Sequence, residues 1–288
     1  MRHYRCLTQI PNVEPIAIPV RPERVAQLRS EGINALPQVP EEAVGVVIAT
    51  DTARHLDDWA VHHQKFCLIE KPIAPDPRPE LERLVKATQG RAFTACVLRF
   101  HSALTKFKSQ VDAQAEPPKQ VFIKCHSYLP DWRPGRDYRE LYSGRPGQGG
   151  ALRELIHEID YAGWIFGWPF SVCGNLGRTG ILELEDEDTA VFISESTKTT
   201  CSFSLSLSNR SSNRSATAHF PHADVEVDLM AATSEDRDAM YIRQLEAFIR
   251  AIKGQDSAPL ATAEEGLKAL QVCQAVRLSS ASGQPVTL

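Results

Sequence analysis

The chain has 288 residues, of which 42% are hydrophobic and 24% charged, with a formal net charge of −4 at pH 7; that is enough for two packed domains and too little positive charge for a general nucleic-acid surface. No uninterrupted apolar run of about 18 residues occurs, which excludes a membrane-spanning helix, and Met1-Arg2-His3-Tyr4-Arg5 lacks the apolar core of a signal peptide. Seven cysteines lie scattered between Cys6 and Cys273 with no Cys-x-x-Cys pair, so they read as reduced core thiols of a cytoplasmic protein and not as metal ligands.

Residues 2–8 read as part of a helix, 13–20 as a strand and 21–30 as a second helix. Residues 43–50 (AVGVVIAT) form a continuous apolar run rich in β-branched side chains, the pattern of a strand buried on both faces. A helix is predicted over 57–64, and a short buried strand over 66–69 that closes on Glu70-Lys71-Pro72. Residues 79–88 predict a helix whose Pro79 suits the first helical position. Residues 93–98 predict a further strand. Strands alternating with helices imply right-handed βαβ units and a parallel, Rossmann-like sheet over residues 1–100. That sheet is incomplete, because the strand and Gly-rich turn that open such a fold are missing and no G-x-G-x-x-G occurs anywhere.

Beyond residue 100 the pattern changes. A strand is predicted over 120–128, and a helix over 152–166 that ends at Gly167 with Pro169 just beyond. Strands follow over 171–175, 189–194, 200–207, 215–220 and 224–230, separated by Ser, Asn, Gly and Asp turns. Helices over 236–253 and 262–281 close the chain. Residues 101–288 therefore predict an α+β domain with a large, mainly antiparallel sheet.

Chemistry is expected where parallel strands end, since open α/β sheets bind ligands there. Thr50, Asp51, Thr52 and His55 follow one buried strand, either as ligand contacts or as an ordinary helix cap. Lys71, fixed between Glu70 and Pro72 after the next strand, can polarise a hydroxyl or carbonyl or sit in a surface ion pair. On the helix that follows Gly149-Gly150, Glu154, His157 and Asp160 fall three residues apart along one side. A carboxylate beside an imidazole raises its basicity and fixes its tautomer, as proton transfer needs; a purely structural buried histidine fits the same spacing. Trp132, Arg133, Tyr138 and Arg139 form a basic-aromatic stretch, interrupted by Asp131 and Asp137, that reads as a small-anion or sugar wall or as an exposed loop.

Taken in order, these pieces resemble the Gfo/Idh/MocA family of glucose–fructose oxidoreductases and inositol dehydrogenases. The resemblance runs over nearly the whole chain: Arg2-His3 and Leu7, the strand ending in Thr50-Asp51-Thr52 with His55, Glu70-Lys71-Pro72, Arg99-Phe100, the Gly149-Gly150 helix with His157 and Asp160, and the segment from Asp236 to Tyr241. Tyr128 to Pro134 and Asp137 to Tyr142 are similar to the branch that handles bacterial surface sugars. The resemblance implies a hydride-transferring enzyme using NAD or NADP on a sugar or nucleotide-sugar hydroxyl. It gives Lys71 the nicotinamide region and the reacting hydroxyl, His157 the general acid/base role, and Asp160 and Glu154 supporting ones. Where the family often carries aspartate four residues before the histidine, this chain has Arg153.

Thr50, Thr52, His55, Glu70, Lys71 and Arg21 are the expected cofactor contacts, with Arg21 leaving NADP open beside NAD. Arg99, Tyr128, Trp132, Arg133, Tyr138 and Arg139 are the expected substrate contacts. A homo-oligomer is expected, without membrane or nucleic-acid partners. Two origins of the missing turn stand at this level: a start lying upstream, or a natural loss that leaves a binding or assembly subunit or a redox-neutral enzyme. Loss of a central strand predicts exposed sheet edges, to be buried by a partner or by rearrangement of the N-terminal half.

Overall fold

The computed structural model describes residues 1–231 and 237–288. The N-terminal half opens with α1 (Arg2–Leu7) and α2 (Arg24–Ser30). It continues through β1 (Gly45–Ile48), α3 (His55–His62), β2 (Phe66–Glu70), α4 (Pro79–Ala87) and β3 (Ala92–Ala95). Pro79 starts α4 where no backbone N–H is needed, and Glu80 and Glu82 sit at the positive end of its dipole. β1, β2 and β3 pair in parallel in that order. Cys67, Leu68 and Ile69 of β2 are fully buried, as a strand covered on both faces requires. After a short 3₁₀ turn at Val97–Phe100, α5 (Ser102–Asp112) turns Leu104, Phe107 and Val111 into the core.

The second half runs through β4 (Gln120–Tyr128), α6 (Ala151–Glu154), α7 (Ile156–Phe166), β5 (Ser171–Gly177), β6 (Thr189–Glu195), β7 (Thr200–Ser206), β8 (Ser208–His219) and β9 (Asp224–Asp228). It closes with α8 (Arg237–Ile252), β10 (Ala261–Thr262), α9 (Ala263–Ser282) and β11 (Val286–Thr287). The larger sheet has the order β11-β5-β6-β7-β4-β8-β9. Its neighbours are antiparallel except β4 and β7, which run parallel at its centre. Along β4, Val121, Ile123 and Cys125 face the core while Gln120, Phe122 and Lys124 face out, the alternation of a sheet covered on one side. Thr262 and Glu265 form a capping box at the head of α9, and Gly283 ends it in the left-handed conformation. β10 adds antiparallel to β3, so the C-terminal segment also completes the smaller sheet. One continuous apolar cluster links both halves.

The two-domain α/β architecture matches the sequence expectation, with four local differences. Residues 13–20 are not a strand: Ala17 makes a lone parallel bridge to Ala35, because no neighbouring strand is there to build a ladder and Pro15 and Pro19 donate no hydrogen bonds. The strand expected over 93–98 ends at Ala95. The helix expected over 152–166 is broken at Leu155, whose φ and ψ are −101° and 27°, into α6 and α7. The strand expected over 215–220 is the end of the longer β8. Asp236, expected at the head of the penultimate helix, lies outside the described residues. Among the described residues no strand pairs with the outer edge of β1. α8 packs on that strand, and a Cβ on Gly45 would stand 2.8 Å from Ile252 Cδ1.

Candidate active site

Lys71 follows β2 directly, at the C-terminal end of the parallel sheet. Its Nζ donates to the backbone carbonyl of Glu154 at 3.0 Å and lies 3.5 Å from Glu154 Oε2. Tyr142 donates its hydroxyl to the same Oε2 at 3.1 Å. Glu154 ends α6, its side chain is 1% exposed, and its Oε1 has no partner. A buried carboxylate with one free oxygen falls short of the hydrogen bonding that burial ordinarily demands. Burial works against the Lys71 ammonium, but Glu154, with Tyr142 and Glu70, outweighs it and holds the lysine above its ordinary pKa. Burial likewise pushes the Tyr142 phenol up, so it stays a donor.

His157 sits in the first turn of α7. Its Nδ1 is buried without a partner. Burial first, then the positive charges of Lys71, Arg214 and Arg237, hold the imidazole well below its ordinary value of 6.5. It is therefore a neutral base at neutral pH, in electrostatic reach of a charged lysine. The set can hold a hydroxyl group, take its proton on the imidazole and stabilise the resulting oxygen with the ammonium.

Asp160 does not join that set. The Arg99 guanidinium grips it with Nε at 3.0 Å and a terminal nitrogen at 2.7 Å, and also reaches Glu265 at 2.9 Å. The Arg99 and Asp160 side chains are 2% and 1% exposed. In this arrangement Asp160 is engaged by Arg99 and not by His157, and Arg99 is held in a buried ion pair apart from Trp132, Arg133, Tyr138 and Arg139. The i, i+3 spacing held, but a guanidinium from the other domain saturates the carboxylate. The break at Leu155 also takes Glu154 out of the α7 register, so the expected three-residue stripe is not one face of a helix. Glu158, the residue after His157, is similarly consumed by Arg214, at 2.6 and 3.0 Å.

The expected cofactor contacts are gathered around the strand ends and are largely engaged within the chain. Thr50 donates to Asp58 at 2.7 Å. His55 places its two ring nitrogens on the carbonyls of Pro72 at 2.8 Å and Thr50 at 3.0 Å, tying the loops after β1 and β2 together. Thr52 is buried. Glu70 meets His3 of α1 at 2.6 Å; burial raises this carboxyl, but the His3 contact, with Lys71, holds it below the ordinary range. Arg21 is exposed and apart from this group's hydrogen bonds. Arg153, in the place of the family's usual aspartate, clamps the segment after Lys71 through the Pro75 carbonyl at 2.9 Å and Asp76 at 2.8 Å.

Of the expected substrate wall, Tyr128 stacks under Arg210 at 4.4 Å and accepts its hydrogen bond. Tyr138 accepts from the backbone of Glu183, and Arg139 is paired with Asp137 and Glu183. Trp132 is 41% exposed, and Arg133 lies 5.8 Å over the Tyr142 ring. Sequence reasoning missed Tyr142 as a site residue, and also Arg145, which crosses to Asp51 at 3.1 Å. Nothing local in the sequence marks either contact.

A parallel βαβ sheet whose strand ends carry a lysine is set against a mixed, mainly antiparallel sheet whose helix supplies a histidine, and open α/β sheets bind ligands at such strand ends. Residues 221–288 match the model described as the oxidoreductase family, C-terminal alpha/beta domain, that is, of the Gfo/Idh/MocA proteins. Solved dehydrogenases share this fold over nearly their whole length, while the family-model match is confined to the C-terminal segment. GenD2 from gentamicin A biosynthesis, solved with NAD, is 16% identical with a TM-score of 0.85 over 100% of this chain and 92% of that one. A myo-inositol dehydrogenase from Corynebacterium glutamicum is 20% identical, TM-score 0.80, over 100% and 95%. The WlbA dehydrogenase from Bordetella pertussis, solved with NADH and UDP-GlcNAcA, is 18% identical, TM-score 0.80, over 100% and 94%. A comparison with curated protein sequences gave no match.

Proposed function

We propose that the chain is an NAD(P)-dependent oxidoreductase acting on a hydroxyl of a sugar or nucleotide sugar, with residues 1–100 holding the nucleotide and 101–288 the substrate. The observation that carries this reading is the set of unsatisfied polar atoms beside Lys71: among the described residues, Glu154 Oε1 and the ring nitrogen His157 Nδ1 are buried without partners. Polar atoms left open next to a held ammonium suit a ligand rich in hydroxyl groups. The reacting end of a nicotinamide nucleotide fits this donor set, with Lys71 and Glu70 the residues to hold it. A bound nicotinamide would accept or return the hydride. His157, neutral at pH 7, takes the hydroxyl proton. Lys71 donates a hydrogen bond to the substrate oxygen and offsets the charge that develops there. Glu154 keeps that ammonium in place. Trp132 and Arg133 present stacking surface and positive charge to the rest of the substrate.

A second reading, a cofactor-free relative with a binding or redox-neutral role, is favoured by one observation. Thr50, His55 and Glu70 already have partners inside the chain. The test is a screen of sugars and nucleotide sugars with NAD and with NADP, following formation of the reduced nicotinamide, on the protein and on His157→Asn. Turnover that His157→Asn abolishes supports the enzyme reading. Turnover unaffected by that substitution, or none across the screen, moves the assignment to the second reading.

A further inference from the structure

The loop between β4 and α6 carries a phenol into the centre of the candidate site. Tyr142 stands at the head of a 3₁₀ turn, Tyr142–Gly144, and reaches a carboxylate twelve positions later. Two glycines fix where that turn lies. A Cβ on Gly144 would stand 2.7 Å from both Arg139 Cα and the Tyr138 carbonyl. A Cβ on Gly149 would collide with the Ser143 carbonyl. The loop is thus folded back on itself and seated against the head of α6 so closely that side chains are excluded at both points. Gly149, singled out in the sequence as the start of a helix motif, serves to receive this turn.

The groups facing Lys71 are Glu154 from α6, Tyr142 from the loop, Glu70 from β2 and His157 from α7. Glu154 Oε2 is the atom they share: Lys71 approaches it at 3.5 Å and Tyr142 at 3.1 Å, while Oε1 is unheld. Among the described residues no second donor fixes the carboxylate from the loop side. We propose that Tyr142 is a positioning residue for the Lys71–Glu154 pair, holding the carboxylate against the ammonium so that the seating of the 138–149 loop sets the protonation of Lys71. The role in turnover rests on the oxidoreductase reading; the effect on Lys71 does not.

The test follows the Lys71 titration by NMR with side-chain-labelled lysine, in the free protein, for the wild type, Tyr142→Phe, Glu154→Gln and the double variant. The signal is assigned with Lys71→Arg, and thermal melting establishes that each variant folds. The Phe variant removes the donor and the Gln variant the charged acceptor, so either gives the answer if the other fails to fold. Without the held carboxylate, burial dominates and the ammonium loses its proton more easily. The expected result is a lower Lys71 midpoint in each single variant, by about the tenfold change in proton affinity that goes with losing a hydrogen bond to a charged group. Tyr142→Phe should add nothing in the Glu154→Gln background. An unmoved midpoint in a folded Tyr142→Phe protein, or additive shifts in the double variant, overturns the proposal. Nucleotide binding by the wild type is measured separately, so failure of the oxidoreductase reading is distinguishable from failure of this one.

Discussion

Two clusters a single helical turn apart treat their charges in opposite ways. Around Asp160 and Glu158 every buried carboxylate oxygen is matched: Arg99 and Arg214 each bind bidentately, and Glu265 closes the Arg99 pair from α9. Around Glu154 and His157 the individual atoms are also buried, yet among the described residues a carboxylate oxygen and a ring nitrogen are left open. Burying charge is affordable where the geometry saturates it and costly where it does not. A fold that keeps the costly arrangement beside a lysine is using it for something other than stability. The saturated cluster joins the two halves of the molecule; the unsaturated one is where chemistry is expected.

Substitutions should separate these clusters cleanly. The largest effects belong to the open one. His157→Asn and Lys71→Ala should lower kcat/KM by roughly 10²–10⁴ each, measured by steady-state turnover per folded molecule. Next comes the closed cluster. Asp160→Ala leaves the Arg99 guanidinium buried without its main partner and should cost about 3–5 kcal/mol of stability in denaturant titration, while activity per folded molecule is largely retained. A loss of activity without loss of stability in that variant would break the distinction.

A smaller effect follows from the pH dependence of His157. Its folded pKa lies well below the ordinary 6.5 because burial and three cations oppose the imidazolium. Between those two values the unfolded chain binds the proton and the folded one does not, so the contribution to stability is complete above 6.5 and is lost as pH falls through the folded pKa. Melting temperature measured as pH is lowered should fall less steeply in His157→Asn than in the wild type. The smallest effect is at Arg145. Its ion pair with Asp51 is about half exposed on both sides, so Arg145→Ala should change stability by less than about 1 kcal/mol, with any difference reduced further by added salt.

Much of the frame was legible because burial leaves a direct trace. The runs that became β1 and β2 are apolar on both faces, and the turn-separated strands of the second half alternate as a half-covered sheet must. Residues 13–20 misled, because strand propensity without a neighbour gives only a single bridge. α5 went unread although Leu104, Phe107 and Val111 carry its stripe. Lys71, Glu154 and His157, which the fold gathers together, stood out in the sequence through motif and position. What spacing could not show is which carboxylate another element had already claimed. Arg99 lies 61 positions from Asp160 and Arg214 lies 56 from Glu158, and pairings that distant are written only in the fold. Tyr142 was hidden for the same reason: its partner is decided by how a glycine-shaped loop folds back.

We propose the open cluster beside Lys71 as the reacting end of a nicotinamide site. Calorimetric titration with NADH and with NADPH tests it most directly, on the wild type, Lys71→Ala and Asp160→Ala, each corrected for its folded fraction. Binding of one nucleotide by the wild type is expected, weakened in Lys71→Ala and retained in Asp160→Ala. A folded wild type that binds neither nucleotide, or equal loss of affinity in both variants, would contradict it.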